Sequence, residues 1–371
     1  MLAQVLARWR RDYERDRPGL VGEALGLVWA ARRGFTENEL LRLLKPADQP
    51  QLPLAVWTPL RAALEDGLVD RAGILNFAHD FLRAAVATMF APDQAKQRDL
   101  RLQLAGFFEA EPVTARACDE LPWLLWQTES PARLRACLLD IDKFLEIHKR
   151  EQEELMRYWV WLKEERTMGK AYLASFENWS ENPGREETGI SFAANEFACF
   201  LDAAALHAEA EPLMRRALAI WDASLGGDHP NVASALNNLA ALLKATNRLA
   251  EAEPLYRRAL AMWEASLGES HPEVATDINN LAALLHDTNR LAEAEPLMRR
   301  ALAIDEASFG PDHPNVARDL NNLAHILHAT NRLAEAEPLY RRALDIGRIT
   351  LHAASRHSIH ITHHNQHLPL P

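Results

Sequence analysis

Asparagine recurs in one phase of a 42-residue rhythm: Asn237, Asn279 and Asn321, with Asn195 a further step upstream. A carboxamide carries two donors and an acceptor, the complement of the C=O and N–H of an extended peptide. Such chemistry is capture without bond-breaking. Asn237 has a second possible use: bonding a neighbouring unit's backbone and fixing the pitch of a stack. Counting along a helix, the positions sharing this face are Ser234, Ala241 and Lys244 in one copy, Thr276, Ala283 and His286 in the next, and Arg318, His325 and His328 in the third. The set becomes more basic toward its C-terminal end through Lys244, His286, Arg318, His325 and His328, so a protein or peptide ligand of acidic character is the expected partner.

Bond-making chemistry has little to rest on. GxSxG, HExxH and paired CxxC are absent, so no enzyme activity and no cofactor is expected. The one Gly-Lys pair, Gly169-Lys170, is followed by Ala171 and has Glu164 where a phosphate loop needs its first glycine. His352, His357, His360, His363, His364 and His367 crowd the tail, and clustered imidazoles can bind zinc or nickel. Without a carboxylate or cysteine beside them no metal site is expected, and 351–371 reads as a disordered, His-rich tail.

The elements that position the asparagines come from a repeat. The stretch from His229 is copied from His271 and again from His313, and the first two copies agree at 30 of 42 positions. Leu236, Leu239, Leu242 and Leu243 fall at helical spacing, as do Ala252, Tyr256 and Ala259. His229-Pro230 opens the first helix, Thr246-Asn247 breaks it, and Ser266-Leu267-Gly268 ends the second. Ala240 and Ala252 belong where the two helices cross most closely. A pair this small cannot bury both faces, so it must stack on its neighbours. A degenerate copy precedes the clear ones, with Ala208 to Leu213 aligning with Ala250 to Leu255 and Phe192 to Leu201 as its first helix.

These copies resemble tetratricopeptide repeats of the long variety found in kinesin light chains and nephrocystin-like proteins. The matching text is LNNLA at Leu236–Ala240, RLAEAEPLYRRAL at Arg248–Leu260 and the SLG…HP junction. Leu236 and Ala240 stand where the shorter repeat has tryptophan and glycine. The resemblance implies a right-handed α-α superhelix over 187–350, about four units, whose asparagines hold bound peptide backbone. On the outer helices, Arg257-Arg258, Arg299-Arg300 and Arg341-Arg342 read as solvated pairs with glutamates one turn earlier.

At 371 residues, 48% hydrophobic and 25% charged, the chain has room for two or three domains of ordinary soluble composition. A net charge of -11 argues against a general nucleic-acid binder. Cys118, Cys137 and Cys199 are odd in number and lack metal spacing, as reduced packing residues of a cytoplasmic protein would be. No apolar run is long enough for a membrane span, so no membrane partner is expected.

Before the repeats the pattern is mixed. Residues 1–17 form a charged amphipathic linker helix whose apolar side needs a preceding domain or a partner. Leu20 to Arg32 is helical, Gly34 stops it, and Thr36-x-x-Glu39 caps Glu37 to Leu44. Helix Leu54 to Glu65, a hairpin over 67–77 and helix His79 to Met89 complete a winged helix over 18–91. Its third helix, with Arg61 and two acids, lacks the cations that reading a groove demands, so nucleic acid is not an expected partner. A DNA-binding regulator with a repeat sensor is the alternative. Glu23–Leu44 and FAHDFLRAAV at Phe77–Val86 resemble the winged helix beside the ATPase of NACHT-type signal-transduction NTPases. That resemblance makes His79 a nucleotide sensor and Asp80 its neighbour, and implies an NTPase domain in cis or trans; the chain begins about where such a core would end. His79 capping its helix or filling a core contact is the alternative. Residues 92–186 read as a helical linker domain with the helices Glu120–Ser130, Ala132–Ile147 and Glu154–Glu165, punctuated by Pro122, Pro131 and Pro183. ELPWLL and LLDIDKFL there resemble the linker of nephrocystin-like NACHT proteins. Trp123, Trp126, Trp159 and Trp161 read as core, with an exposed aromatic strip as the alternative.

Overall fold

The computed structural model describes residues 2–227 and 229–348 and divides into two compact units, Met1–Glu181 and Asn182–Pro371. Both are built almost wholly of helices.

In the first unit α1 (Leu2–Tyr13), α2 (Leu20–Ala30), α3 (Glu37–Leu43) and α4 (Leu54–Ala63) precede the hairpin β1 (Leu68–Arg71) and β2 (Ile74–Phe77), and α5 (Asp80–Phe90) follows. The capping box at Thr36 forms in full: Glu39 N–H donates to the hydroxyl, and Thr36 N–H donates to the Glu39 carboxylate. The strands pair antiparallel with Arg71 opposite Ile74, so Ala72 and Gly73, both at positive φ, make the two-residue turn that such a register requires. Gly34 is compelled by closeness as well as by its φ of 96°. A Cβ there would lie 2.2 Å from the Leu75 carbonyl, which accepts the Phe35 amide.

The expectation for α1 needs correcting. Its buried residues, Leu6 and Trp9, cover this unit's own core, because α1 packs on α2, α4 and α5. Helices α6 (Gln94–Ala110), α7 (Ala115–Gln127), α8 (Pro131–Leu139), α9 (Ile141–His148), α10 (Gln152–Leu162) and α11 (Met168–Ser180) follow. The single helix expected over 132–147 is two, since Asp140 accepts the Lys143 amide and caps α9. Pro122 lies inside α7 and ends nothing. Trp159 is fully buried and donates to the Tyr172 hydroxyl at 2.9 Å, whereas Trp123 and Trp161 are half-buried and Trp126 is exposed.

The second unit stacks helix pairs: α12 (Glu187–Ala203) with α13 (His207–Leu225), α14 (Pro230–Ala245) with α15 (Leu249–Leu267), α16 (Pro272–Asp287) with α17 (Leu291–Phe309), and α18 (Pro314–Ala329) with α19 (333–348). His229, His271 and His313 cap the first helices, each Nδ1 accepting the amide two residues on. Ala240 and Ala252 are completely buried at the crossing of α14 and α15.

Each turn within a pair needs one residue in the left-handed region. Asn247, Asn289 and Asn331 supply it with φ of 58–60°, and Ala205, at 59°, takes that place in the first pair. Alanine adopts this conformation less readily than asparagine. Ala205→Asn is therefore expected to stabilise the unit by about 0.5–1 kcal/mol, read as a rise of a few degrees in melting temperature. An unchanged midpoint would mean that the turn is unstrained.

Candidate functional site: one face of the repeat stack

The first helices α14, α16 and α18 lie next to one another in the stack, which brings equivalent positions into line at each 42-residue step. Ser234, Arg318, Asn321, His325 and His328 are exposed, and Asn237, Ala241, Lys244, Thr276, Ala283 and His286 are half-buried. Ala283, His286 and His325 come together around a cavity of about 180 Å³ with Asp287, Met298 and Asn322. Its floor is apolar and its rim polar, an arrangement suited to holding a side chain while the rim orients the chain that carries it.

Asn279 departs from the expected pattern. It is 4% exposed, and its amide donates to the Ala275 carbonyl at 3.0 Å and to Asp319 Oδ1 at 2.7 Å. A first helix in a stack is flanked by its own partner and by the helices before and after it, so only a narrow strip remains open. The asparagines one place further on, which sequence reasoning passed over, form a ladder with the first set. Asn238 donates to Asn195 Oδ1 at 3.3 Å, Asn280 to Asn237 Oδ1 at 3.0 Å and Asn322 to Asn279 Oδ1 at 3.3 Å. Repeat-to-repeat bonding of Asn237 is thus real, but it runs between side chains and not to backbone. The Nδ2 of Asn237 has no bond among the described residues, and Asn321 lies open.

The charges of this face are partly matched from within. Lys244 meets Asp287 at 3.2 Å, and Arg318 lies 3.4 Å from Asp305 and 3.3 Å from Asp319. His286 lies 3.4 Å from Asp287, whereas among the described residues His325 and His328 form no ion pair.

On the outer helices the sequence reading was half complete. Arg257, Arg299 and Arg341 do pair with Glu253, Glu295 and Glu337 one turn back. Their neighbours Arg258, Arg300 and Arg342 instead reach the preceding pair, at Asp222, Glu264 and Glu306. Arg248, Arg290 and Arg332, one at each turn, join Glu211, Glu253 and Glu295 of the preceding pair to Glu251, Glu293 and Glu335 of their own. The signal was present, since an arginine heads every RLAEAEP.

His79 stands at the N-cap of α5 with its side chain exposed and without a cap bond, and Asp80 and Phe81 beside it are exposed as well, Phe81 to 81%. Neither the helix nor the core uses the imidazole. Cys118, Cys137 and Cys199 are unpaired thiols, pushed up to about 11, 12 and 12 chiefly by burial, so they are poor nucleophiles. Among the described residues no cluster of His, Cys, Asp and Glu could hold a metal ion, and no helix is long and apolar enough to cross a membrane. The histidine-rich segment 351–371 lies outside the described residues.

Comparison with known proteins gives this architecture relatives. Mouse nephrocystin-3 is 29% identical over 179 residues, 47% of this chain and 13% of that protein. A TPR repeat-containing protein of Dictyostelium discoideum is 26% identical over 157 residues, 42% of this chain and 9% of the other. The chain therefore spans only a small part of the length of the curated relatives it matches. Among solved structures, the Signal Transduction ATPase with Numerous Domains protein with a tetratricopeptide repeat sensor from Pyrococcus horikoshii aligns with a TM-score of 0.41 and 14% identity, over 88% of this chain and 50% of that one. Residues 273–348 match a tetratricopeptide repeat model, a repeat that serves as a scaffold for protein–protein interaction. Residues 103–308, more than half of the sequence, match the model of the nephrocystin-3 TPR domain, and the chain belongs to that family.

Proposed function

We propose that the repeats capture an extended peptide segment along the face formed by α14, α16 and α18, as the sensing part of a signal-transduction NTPase. The observation that carries this is the cavity shared by Ala283, His286 and His325, three positions on two adjacent repeats that meet over Met298. The peptide backbone lies along Asn237 and Asn321, with Ser234, Thr276 and Lys244 at its edge. Asn279 acts from behind, holding Asn322 and Asp319 in place. An acidic side chain is the favoured guest at His286, His325 and His328, while Lys244 and Arg318, already matched by Asp287, Asp305 and Asp319, add little to the field.

In this reading residues 18–91 are a winged helix, 92–186 a helical linker and 187–350 the repeats, all in a cytoplasmic protein. Exposed His79, Asp80 and Phe81 then form the contact through which occupancy of the repeats reaches a nucleotide-bound NTPase domain, in cis or in trans. A carboxylate and an imidazole at a helix start, beside an uncovered aromatic ring, suit a protein surface better than water. Without such a domain the chain is a plain adaptor. α4, with Arg61 as its one cation, gives a DNA-reading role no support.

The test is a panel of immobilised twelve-residue peptides, acidic, neutral and basic, probed with the full chain. Acidic peptides are expected to bind with dissociation constants in the micromolar range, and His286→Glu with His325→Glu to weaken them about tenfold or more. Asn237→Ala with Asn321→Ala is expected to weaken all retained peptides alike, because the amide reads backbone. Equal retention of the three peptide classes, or binding that survives both pairs of substitutions, would remove the face from consideration.

A further inference from the structure

A second site lies in the first unit and is independent of the repeats. Helix α6 carries Arg98 and Arg101 three residues apart, so both fall on one face. Together with Gln97, Gln127 and Thr128 they line a polar cavity of about 280 Å³. Arg98 Nε donates to the Thr128 carbonyl at 3.0 Å, which fixes its guanidinium at the rim. Arg101 lies over two indoles, 5.1 Å from the ring centre of Trp29 and 5.7 Å from that of Trp123. Its Nε is buried with no hydrogen-bond partner. Arg83 of α5 donates to the Trp29 carbonyl at 3.3 Å and stands close enough to act on Arg101.

Among the described residues these three arginines lie together without an ion-pair partner, as do the scattered Arg8, Arg15, Arg61, Arg71 and Arg166 of the same unit, but among these eight it is Arg101 whose Nε is buried and unanswered. Arg32, Arg33, Arg42, Arg116, Arg133 and Arg135 of the same unit all meet a carboxylate. Among the described residues Arg83, Arg98 and Arg101 form no ion pair. Burial pulls the Arg101 guanidinium below its usual range and Arg83 adds to the effect; Arg83 is lowered by burial too, against the pull of Asp80. The one acid on the cavity wall, Glu129, is an exposed residue of the turn after α7.

Cations gathered around a polar hollow whose one acid, the exposed Glu129, forms no ion pair with them are stabilised when an anion enters. Guanidinium forks match the oxygens of a phosphoryl group two at a time, and the side-chain amide of Gln127 supplies a further donor. We propose that this cavity binds a phosphate-bearing small molecule, its phosphoryl group held between Arg98 and Arg101 with Arg83 behind them. The opening onto Gln97 and Gln127 leaves room for a small organic remainder. The indoles are covered by Arg101 and are not offered to the ligand.

The full chain is melted in chloride buffers of fixed ionic strength while inorganic phosphate or pyrophosphate is titrated in, and heats of binding are measured in parallel. A rise of about 3–5 °C is expected at tenfold the dissociation constant, continuing with the logarithm of ligand concentration, while the binding heats saturate. Arg101→Gln removes a charge that no carboxylate answers together with its stacking on Trp29 and Trp123, so it is expected to melt within a few degrees of wild type in chloride and to lose the phosphate response. Gln127→Glu places a carboxylate where the anion sits and is expected to weaken phosphate at least tenfold while the fold is kept, which preserves the test should Arg101→Gln fail to fold. A response that chloride reproduces at equal ionic strength, or one undiminished in either variant, would overturn the assignment.

Discussion

Replacing Glu120 by alanine is expected to lower the stability of the Met1–Glu181 unit by about 3–5 kcal/mol, the range for stripping one partner from a buried ion pair. Glu120 of α7 is completely buried. Its carboxylate accepts the backbone amides of Arg32 and Arg33 at 2.8 and 2.7 Å, and Arg116 Nη1 at 2.9 Å. Arg116 also reaches Glu39 and the Gly34 carbonyl, and Arg32 reaches Asp119 and Glu154. One carboxylate thus joins the segment after α2 to α7, and through its partners to α3 and α10. Burial pushes the Glu120 carboxyl up, and Arg116 and the two amides pull it back. The network therefore fixes geometry more than it adds net stability, and its cost appears when it is broken. Alanine leaves the part-buried amides of Arg32 and Arg33 without an acceptor and strips Arg116 of one of its two carboxylates. Glu120→Gln keeps an acceptor for one amide but turns an N–H₂ toward the rest, so a smaller loss of about 1–3 kcal/mol is expected. Urea unfolding followed by tryptophan fluorescence gives both values. A midpoint for Glu120→Ala equal to wild type would mean that water serves as well as the carboxylate.

Much of this was legible in the sequence, and the failures have a common cause. Period and capping are local, so the starts at His229, His271 and His313 and the box at Thr36 could be placed from the chain alone, whereas the hairpin expected over 67–77, with its turn between Asp70 and Gly73, turns one residue later, at Ala72-Gly73. Partnership is not local. The amphipathic pattern of α1 announces that its apolar side is covered, but it cannot say by what, and the cover proves to be α2, α4 and α5. The same limit hid Glu120, whose partners Arg32 and Arg33 lie 88 and 87 residues away. It also hid the uncompensated Arg101, since a missing carboxylate has no sequence signature. Along the candidate face, helical counting found the positions around the cavity at His286 and His325 but could not separate Asn279 from Asn321. The two have the same phase. What divides them is the following repeat, where Asp319 takes the Asn279 amide.

The repeats themselves carry a second large effect, at a position where copies differ. Asp277 of α16 aligns with Ala235 in the copy before and with Asp319 in the copy after. Asp319 has Asn279 and Arg318 as donors, and Asp305 lies close by. Asp277 is 3% exposed, its Oδ2 has no partner, and Thr276 and Trp263 occupy the places that Arg318 and Asp305 hold one repeat on. Burial, with a smaller push from Glu273, raises its carboxyl to about 7. A carboxyl with a folded pKa above the unfolded value of about 3.9 holds its proton more tightly in the native state. Its contribution to stability is then complete below about pH 4 and is lost as pH rises through 7, so at alkaline pH the buried charge works against the fold. Asp277→Ala restores the residue of the preceding copy and is expected to stabilise the repeats by about 1–3 kcal/mol at pH 8, less than the full shift implies because a buried site relaxes around its charge. Near pH 4 the two chains should differ little. Melting temperatures from pH 4.5 to 9 check this, with amide exchange in α16 reporting locally, since stacked repeats open in parts. Asp319→Ala is a poorer probe because it also strips Asn279 and Arg318 of their acceptor. A gap between wild type and Asp277→Ala that stays constant across the range would show that the carboxyl is not protonated in the folded repeats.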